Sequence, residues 1–176
     1  AQIASWRAVG LEISTLTESA DPTVVADAAS HALTEGSADH TIVVVHRSGS
    51  GLRAELVRAD RGSLAPALSS YEVPESWGDL DIPVLHSLML DPWMADSLRD
   101  QTEEHGVLEY CNEYLESIHM VASGERGGAF LINPLSITEV QKVVAAGDVL
   151  PPKSTNFFPK VVAGLTINAF SGLVGS

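Results

Sequence analysis

The chain is poor in cysteine, in lysine and in aromatic residues. Its 176 residues include one cysteine, Cys111, so no intrachain disulfide can form. Packing alone must then hold the core, and the expected setting is a reducing one, the cytoplasm. Lys and Arg together number 10 against 23 Asp and Glu, which leaves a net charge of −13. A surface so acidic excludes nonspecific binding to nucleic acid or to an anionic membrane, because both need a basic face. No apolar run approaches the roughly 18 residues of a membrane span. The Gly-x-x-x-x-Gly-Lys frame, the His-Glu-x-x-His pair and the Gly-x-Ser-x-Gly elbow are all missing from the sequence. A phosphate loop of that type, a zincin centre and a hydrolase nucleophile are therefore not expected.

What is present suffices for one domain, since the apolar share is 45% and the length allows a core without staples. The chain opens at Ala1, with no basic segment leading into an apolar stretch. It is expected to be a processed or trimmed chain, or part of a longer polypeptide. Val9 to Thr17 alternates apolar and polar and predicts a half-buried strand. Asp21-Pro22 predicts a helix start, with Asp21 as cap and the helix ending near Gly36. The run Ile42-Val43-Val44-Val45 predicts a strand covered on both faces, joined through Ser48-Gly49-Ser50-Gly51 to an alternating strand from Leu52 to Ala59.

Residues 61–79 are rich in serine, proline and glycine and read as a long connection, the place for a lobe boundary if there is one. Asp81-Ile82-Pro83 predicts a helix carrying Val84, Leu85, Leu88 and Met89, and Asp91-Pro92 a second one toward Arg99. A short strand is expected from Val107 to Tyr110. Asn112 is read as the cap of a helix through Leu115, Ile118 and Val121, stopped by Gly124. Gly127 to Ile132 reads as a strand. Ser136-Ile137-Thr138-Glu139 has the form of a capping box, with Ile137, Val140, Val143 and Val144 on one apolar face and Gly147 at the stop. Val161 to Phe170 is expected as a last strand. Interspersed strands and helices with a hairpin give an α+β class, with a mixed or mostly antiparallel sheet packed against several helices.

The candidate ligand-binding residues are Lys153, Ser154, Thr155, Asn156 and Lys160. They form a cationic, hydroxyl-bearing loop stiffened by Pro151, Pro152 and Pro159. Such donors suit a phosphate or carboxylate, and the prolines lower the cost of ordering them. The same segment also reads as a structural brace, with Phe157 and Phe158 in the core and the ammonium groups in water. Glu116 and His119 share a helix face, but a di-iron bundle needs two such elements and more glutamates. His86 reads as a hydrogen-bonded core residue and Cys111 as an inert buried thiol. The glycines around Glu125-Arg126 precede a strand rather than a helix, so they read as a turn. No metal ligands, cofactor or general base are assigned.

Three segments carry a resemblance. Leu80-Asp81-Ile82-Pro83-Val84-Leu85-His86, Phe130-Leu131-Ile132-Asn133-Pro134 and Leu150-Pro151-Pro152-Lys153-Ser154-Thr155-Asn156-Phe157-Phe158-Pro159-Lys160 resemble, in order, three motifs of one bacterial and archaeal family, known as domain of unknown function 1015. Gly164-Leu165 follows as that family has it, so the likeness spans about residues 80–168. Members of the family are more than twice as long, and their upstream Gly-His-His-Arg-Tyr motif is absent here. That motif is similar to nucleotide-handling segments of partition-protein-like folds. The resemblance thus implies the C-terminal half of a longer protein, with its N-terminal half as a partner. It also implies an enzyme that binds a nucleotide or small phosphorylated metabolite. Lys153 and Lys160 would hold anionic charge while Ser154, Thr155 and Asn156 orient oxygens. A homodimer is expected only because that is the commonest assembly.

Overall fold

The computed structural model describes residues 2–36, 39–92, 108–152 and 154. A short helix α1 (Gln2–Ala8), absent from the sequence reading, precedes strand β1 (Glu12–Ser19). Helix α2 (Pro22–Glu35) begins as expected: the Asp21 carboxylate accepts from the Thr23 amide at 2.9 Å, and proline occupies the first turn. Strands β2 (His40–Ser48) and β3 (Gly51–Ala59) form the hairpin, paired from His40 opposite Ala59 to Ser48 opposite Gly51. Strand β4 (Gly128–Ile132) completes a sheet of order β1-β3-β2-β4, antiparallel throughout. The class is α+β.

Each face of this sheet is covered. Val43, Val45, Leu52, Ala54 and Leu131 point to α2 and to helix α5 (Tyr114–Ser123). Ile42, Val44, Val57 and Ala59 point to the other side, against Trp6, Leu64, Leu68 and the helix that starts at Asp81. Complete burial of such a side chain contributes about 1.5–3 kcal/mol, so the two clusters dominate stability. Because β2 is an inner strand with helices on both sides, His40 to Val45 are all buried. The connection over 61–79 has structure of its own, a short helix α3 (Ala65–Ser69) and a 3-10 turn (Glu75–Trp77). Its Leu64 and Leu68 are packed in the second cluster.

The helix after it, α4, runs as an ordinary turn over Asp81–Pro83 and then widens into π geometry over Val84–Leu90. The Asp91 amide reaches back five residues to the His86 carbonyl at 2.8 Å. The Trp6 indole donates to the Met89 carbonyl at 3.3 Å, which docks α1 onto this helix.

Several local expectations are corrected. Leu108 to Tyr110 is irregular rather than a strand, and Tyr110 is exposed. The α5 cap is Glu113 instead of Asn112, and it makes no side-chain capping bond. Gly124 does close α5 in the left-handed region. Helix α6 (Ile137–Ala145) has the full capping box, but its valine face is not buried as a unit. Val143 is 0% exposed, whereas Ile137 and Val144 are 78% and 62% exposed. The helix rests on the body along one narrow line, and a residue one position on is rotated by about 100° away from it. Gly147, at φ +83, ends it in a Schellman motif: Asp148 N–H donates to the Val143 carbonyl and Gly147 N–H to that of Val144. Asp91 and Pro92 lie in a turn; the helix expected beyond them, the last strand over Val161 to Phe170, and Val107 lie outside the described residues.

Candidate functional site

At the end of the sheet where β3 and β4 finish and β2 begins, the chain leaves a cleft of about 610 Å³. Its size is within the usual range for a small-molecule site. Several separate stretches of sequence wall it. Helix α2 supplies Ser30, Leu33 and Thr34, and the segment after β4 supplies Asn133 and Pro134. Helix α6 supplies Thr138, Glu139 and Lys142, while Arg61, Asp81 and Tyr114 close the remaining side.

Behind this wall sits a buried histidine–carboxyl contact. His40, 1% exposed, opens β2 on the α4 side of the sheet, and Asp81, 7% exposed, opens α4. His40 Nδ1 lies 3.0 Å from Asp81 Oδ1, and His40 Nε2 lies 3.1 Å from the Gly78 carbonyl. Both ring nitrogens are thereby engaged. Beside them the Tyr114 hydroxyl donates to the Ile132 carbonyl at 2.7 Å. Burial, with some help from the negative charge of Asp81, pushes the Tyr114 phenol above its ordinary value. Asn133 Nδ2 donates to the Leu33 carbonyl at 3.0 Å and so joins the β4 end to α2.

The rim is made of paired charges. Arg61 donates to Glu139 Oε1 at 2.8 Å, and Glu139 Oε2 accepts from both the amide and the hydroxyl of Ser136, each at 2.8 Å. Burial pushes Glu139 up, but the Ser136 donors and the Arg61 guanidinium outweigh it and hold the carboxyl below its ordinary value. Lys142 Nζ donates to Asp79 Oδ2 at 2.9 Å, and this bond is the main reason Asp79 lies low. That pair is largely exposed, so the ammonium is readily redirected to a ligand.

Of the ligand-binding residues read from the sequence, Ser154 is described and Lys153, Thr155, Asn156 and Lys160 lie outside the described residues. Ser154 is half-buried, and its hydroxyl donates to the Pro151 carbonyl, which closes a turn. The approach to that loop is pinned. The Trp77 indole donates to the Val149 carbonyl at 2.9 Å, and the Ser76 hydroxyl donates to Asp148 at 2.6 Å. Phe157, Phe158 and Pro159 are also outside the described residues.

The remaining candidates are not drawn together. Glu116 meets Cys111 Sγ at 3.2 Å rather than a metal partner. Burial pushes the half-buried Cys111 thiol above its ordinary value, as suits an unreactive group. His86 is half-buried on α4. Among the described residues, no group of three or more His, Cys, Asp or Glu side chains could hold a metal ion. No helix there is long and apolar enough to cross a membrane. At the far end of β2, on the same face as His40, His46 Nε2 lies 4.0 Å from Glu55 Oε1. Glu55 is bonded more closely, at 2.6 Å, by Arg53 Nε.

Sequence reading did not single out His40, Tyr114 or Lys142 for this site; it met Asp81 as a helix start and inside a resembling segment, and Asn133 only inside a resembling segment. The usable signal was a polar residue at the edge of an apolar run: His40 before Thr41 to Val45, and Asn133 directly after β4. Compared with family models, with curated proteins and with solved structures, the chain matches none.

Proposed function

We propose that this chain is the ligand-binding part of an enzyme that handles a nucleotide or small phosphorylated metabolite at the cleft beyond the sheet end. One observation carries the reading: two of the three segments resembling domain of unknown function 1015 meet at this cleft. Asp81 from the first and Asn133 from the second line the cleft. The third begins just past Val149, whose carbonyl accepts from the Trp77 indole. Membership of that family is part of the proposal, as is a longer protein whose N-terminal half completes the site. All three lysines of this acidic chain fall between 142 and 160, and Lys142 lines the cleft. In this reading Lys153 and Lys160 join Lys142 around the anionic group, and Ser154, Thr155 and Asn156 orient its oxygens. The single thiol agrees with the cytoplasm as its setting.

Titration calorimetry of the polypeptide with inorganic phosphate and with adenosine monophosphate tests this. Lys142→Ala, Lys153→Ala and Lys160→Ala should each weaken binding by about tenfold, the loss of one charge-assisted bond. Unchanged affinity in all three variants removes the proposal.

A noncatalytic, partner-binding role has its own support. Ile137, Val144 and Val149 expose apolar side chains along and just beyond α6. In that reading the loop is a brace and α6 meets another polypeptide, the N-terminal half or a second copy. Charged substitutions at Ile137 and Val144 that shift the sedimentation of the protein while phosphate binding stays absent would favour it.

A further inference from the structure

We propose that Asp81 is a specificity residue that receives the hydroxyl-bearing end of the ligand, that the cleft takes a phosphorylated polyol, and that His40 is the residue positioning Asp81. The inference rests on the preceding reading of the cleft as an anion site, and it names the other end of the same ligand.

The protons decide the chemistry. The Gly78 carbonyl can only accept, so His40 Nε2, 3.1 Å away, carries a hydrogen. Nδ1 then faces Asp81 Oδ1 at 3.0 Å with a single proton between them. Whether that proton resides on the ring or on the carboxyl, the pair has no net charge. His40 is buried with both nitrogens in use, so it does not touch a ligand. It fixes the rotation of the Asp81 carboxyl group and offsets its charge. The bond to His40 takes one Asp81 oxygen, and a carboxyl group has further acceptor capacity to offer.

Its neighbours on the wall follow the same rule. Asn133 spends one of its two amide N–H groups on Leu33, which leaves its side-chain carbonyl and one donor. Tyr114 spends its proton on Ile132, which leaves its oxygen lone pairs. Asp81, Asn133 and Tyr114 thus each keep an acceptor for the cleft. A ligand fits such a wall by bringing several O–H donors. An ammonium gains less, because His40 already offsets the charge of Asp81. With Lys142 on the α6 side for an anionic group, the matching class is a polyol phosphate, either a free sugar phosphate or the ribose phosphate of a nucleotide.

Titration calorimetry on the full polypeptide with inorganic phosphate, ribose 5-phosphate, adenosine monophosphate and phosphoethanolamine tests the assignment. Ribose 5-phosphate should bind at least tenfold tighter than inorganic phosphate and tighter than phosphoethanolamine. Adenosine monophosphate binding tighter still supports the nucleotide source, and weaker binding supports the free sugar. Asp81→Ala, which removes the acceptor, should cut the advantage of ribose 5-phosphate over phosphate by about tenfold and leave phosphate itself unchanged. His40→Leu should do the same, while His40→Asn, which offers a side-chain N–H near the Nδ1 position, should restore the advantage. Should Asp81→Ala not fold, Asn133→Ala on the half-buried wall should lower the same ratio several-fold. Phosphate binding with no preference for ribose 5-phosphate, a preference for phosphoethanolamine, or a ratio unmoved by these substitutions overturns the role of Asp81 and leaves the anion site standing. No binding of any phosphate compound defeats both.

Discussion

Strand β2 places a histidine at each end of one face, and each meets a carboxylate. His40 and Asp81 are 1% and 7% exposed and 3.0 Å apart; His46 is 40% exposed and 4.0 Å from Glu55. About 20 Å of strand separates the two, six residues at the usual rise. The chemistry is alike and the surroundings are not. Water reaches the outer pair through His46, while Glu55, 8% exposed, takes its closer bond from Arg53. The inner pair has exchanged water for a fixed carbonyl and a fixed carboxyl group, so each partner depends wholly on the other. Burial, more than residue type, separates a surface contact from a group able to shape a binding site.

The largest effect should come from breaking the inner pair. Asp81→Ala strands His40 in the core and should cost about 3–5 kcal/mol of stability in urea denaturation. Replacing both residues by leucine should recover most of that loss. A cost for Asp81→Ala no greater than that of a surface pair would erase the contrast.

Glu139, 14% exposed and paired with an arginine in place of a histidine, sharpens the comparison. Its folded-state pKa is below the ordinary value of 4.5, so the unfolded chain takes up a proton first as pH falls. The stability it contributes is complete above 4.5 and is lost as the pH drops through the lower folded value. Urea midpoints measured from neutrality down through that window should show a loss on the order of 1 kcal/mol from this group. Glu139→Gln should flatten that part of the profile. The smallest effect belongs to the outer pair. His46→Ala should change stability by less than about 0.5 kcal/mol, read by the same denaturation. A larger change would mean that the outer pair is coupled to the core.

The features legible in the sequence are those closed by short-range bonds. Asp21 caps α2 through an amide two residues on, and Ser136 and Glu139 bond each other within one turn. The Val-rich run of β2 announces burial by composition alone. Ser154 was read as a ligand donor, and the structure gives its hydroxyl a local acceptor. The site itself was less legible for a geometric reason. His40 and Asp81 are 41 residues apart, and no spacing rule links a strand start to a helix start across a hairpin. The α6 stripe misled differently: its periodicity marks an apolar face correctly, but periodicity does not say what, if anything, lies against that face.

Gly49, at φ +58 in the two-residue link from β2 to β3, is far from the cleft yet has authority over it. A glycine with positive φ at the first linking position suits a II′ turn, and that turn sets which β2 residue faces which β3 residue. Side chains alternate across a sheet, so adding or deleting one residue there threatens to turn His40 out to the opposite side and bring Thr41 round in its stead. The hairpin tip is thus a distant dial for the chemistry at the other end of the strand.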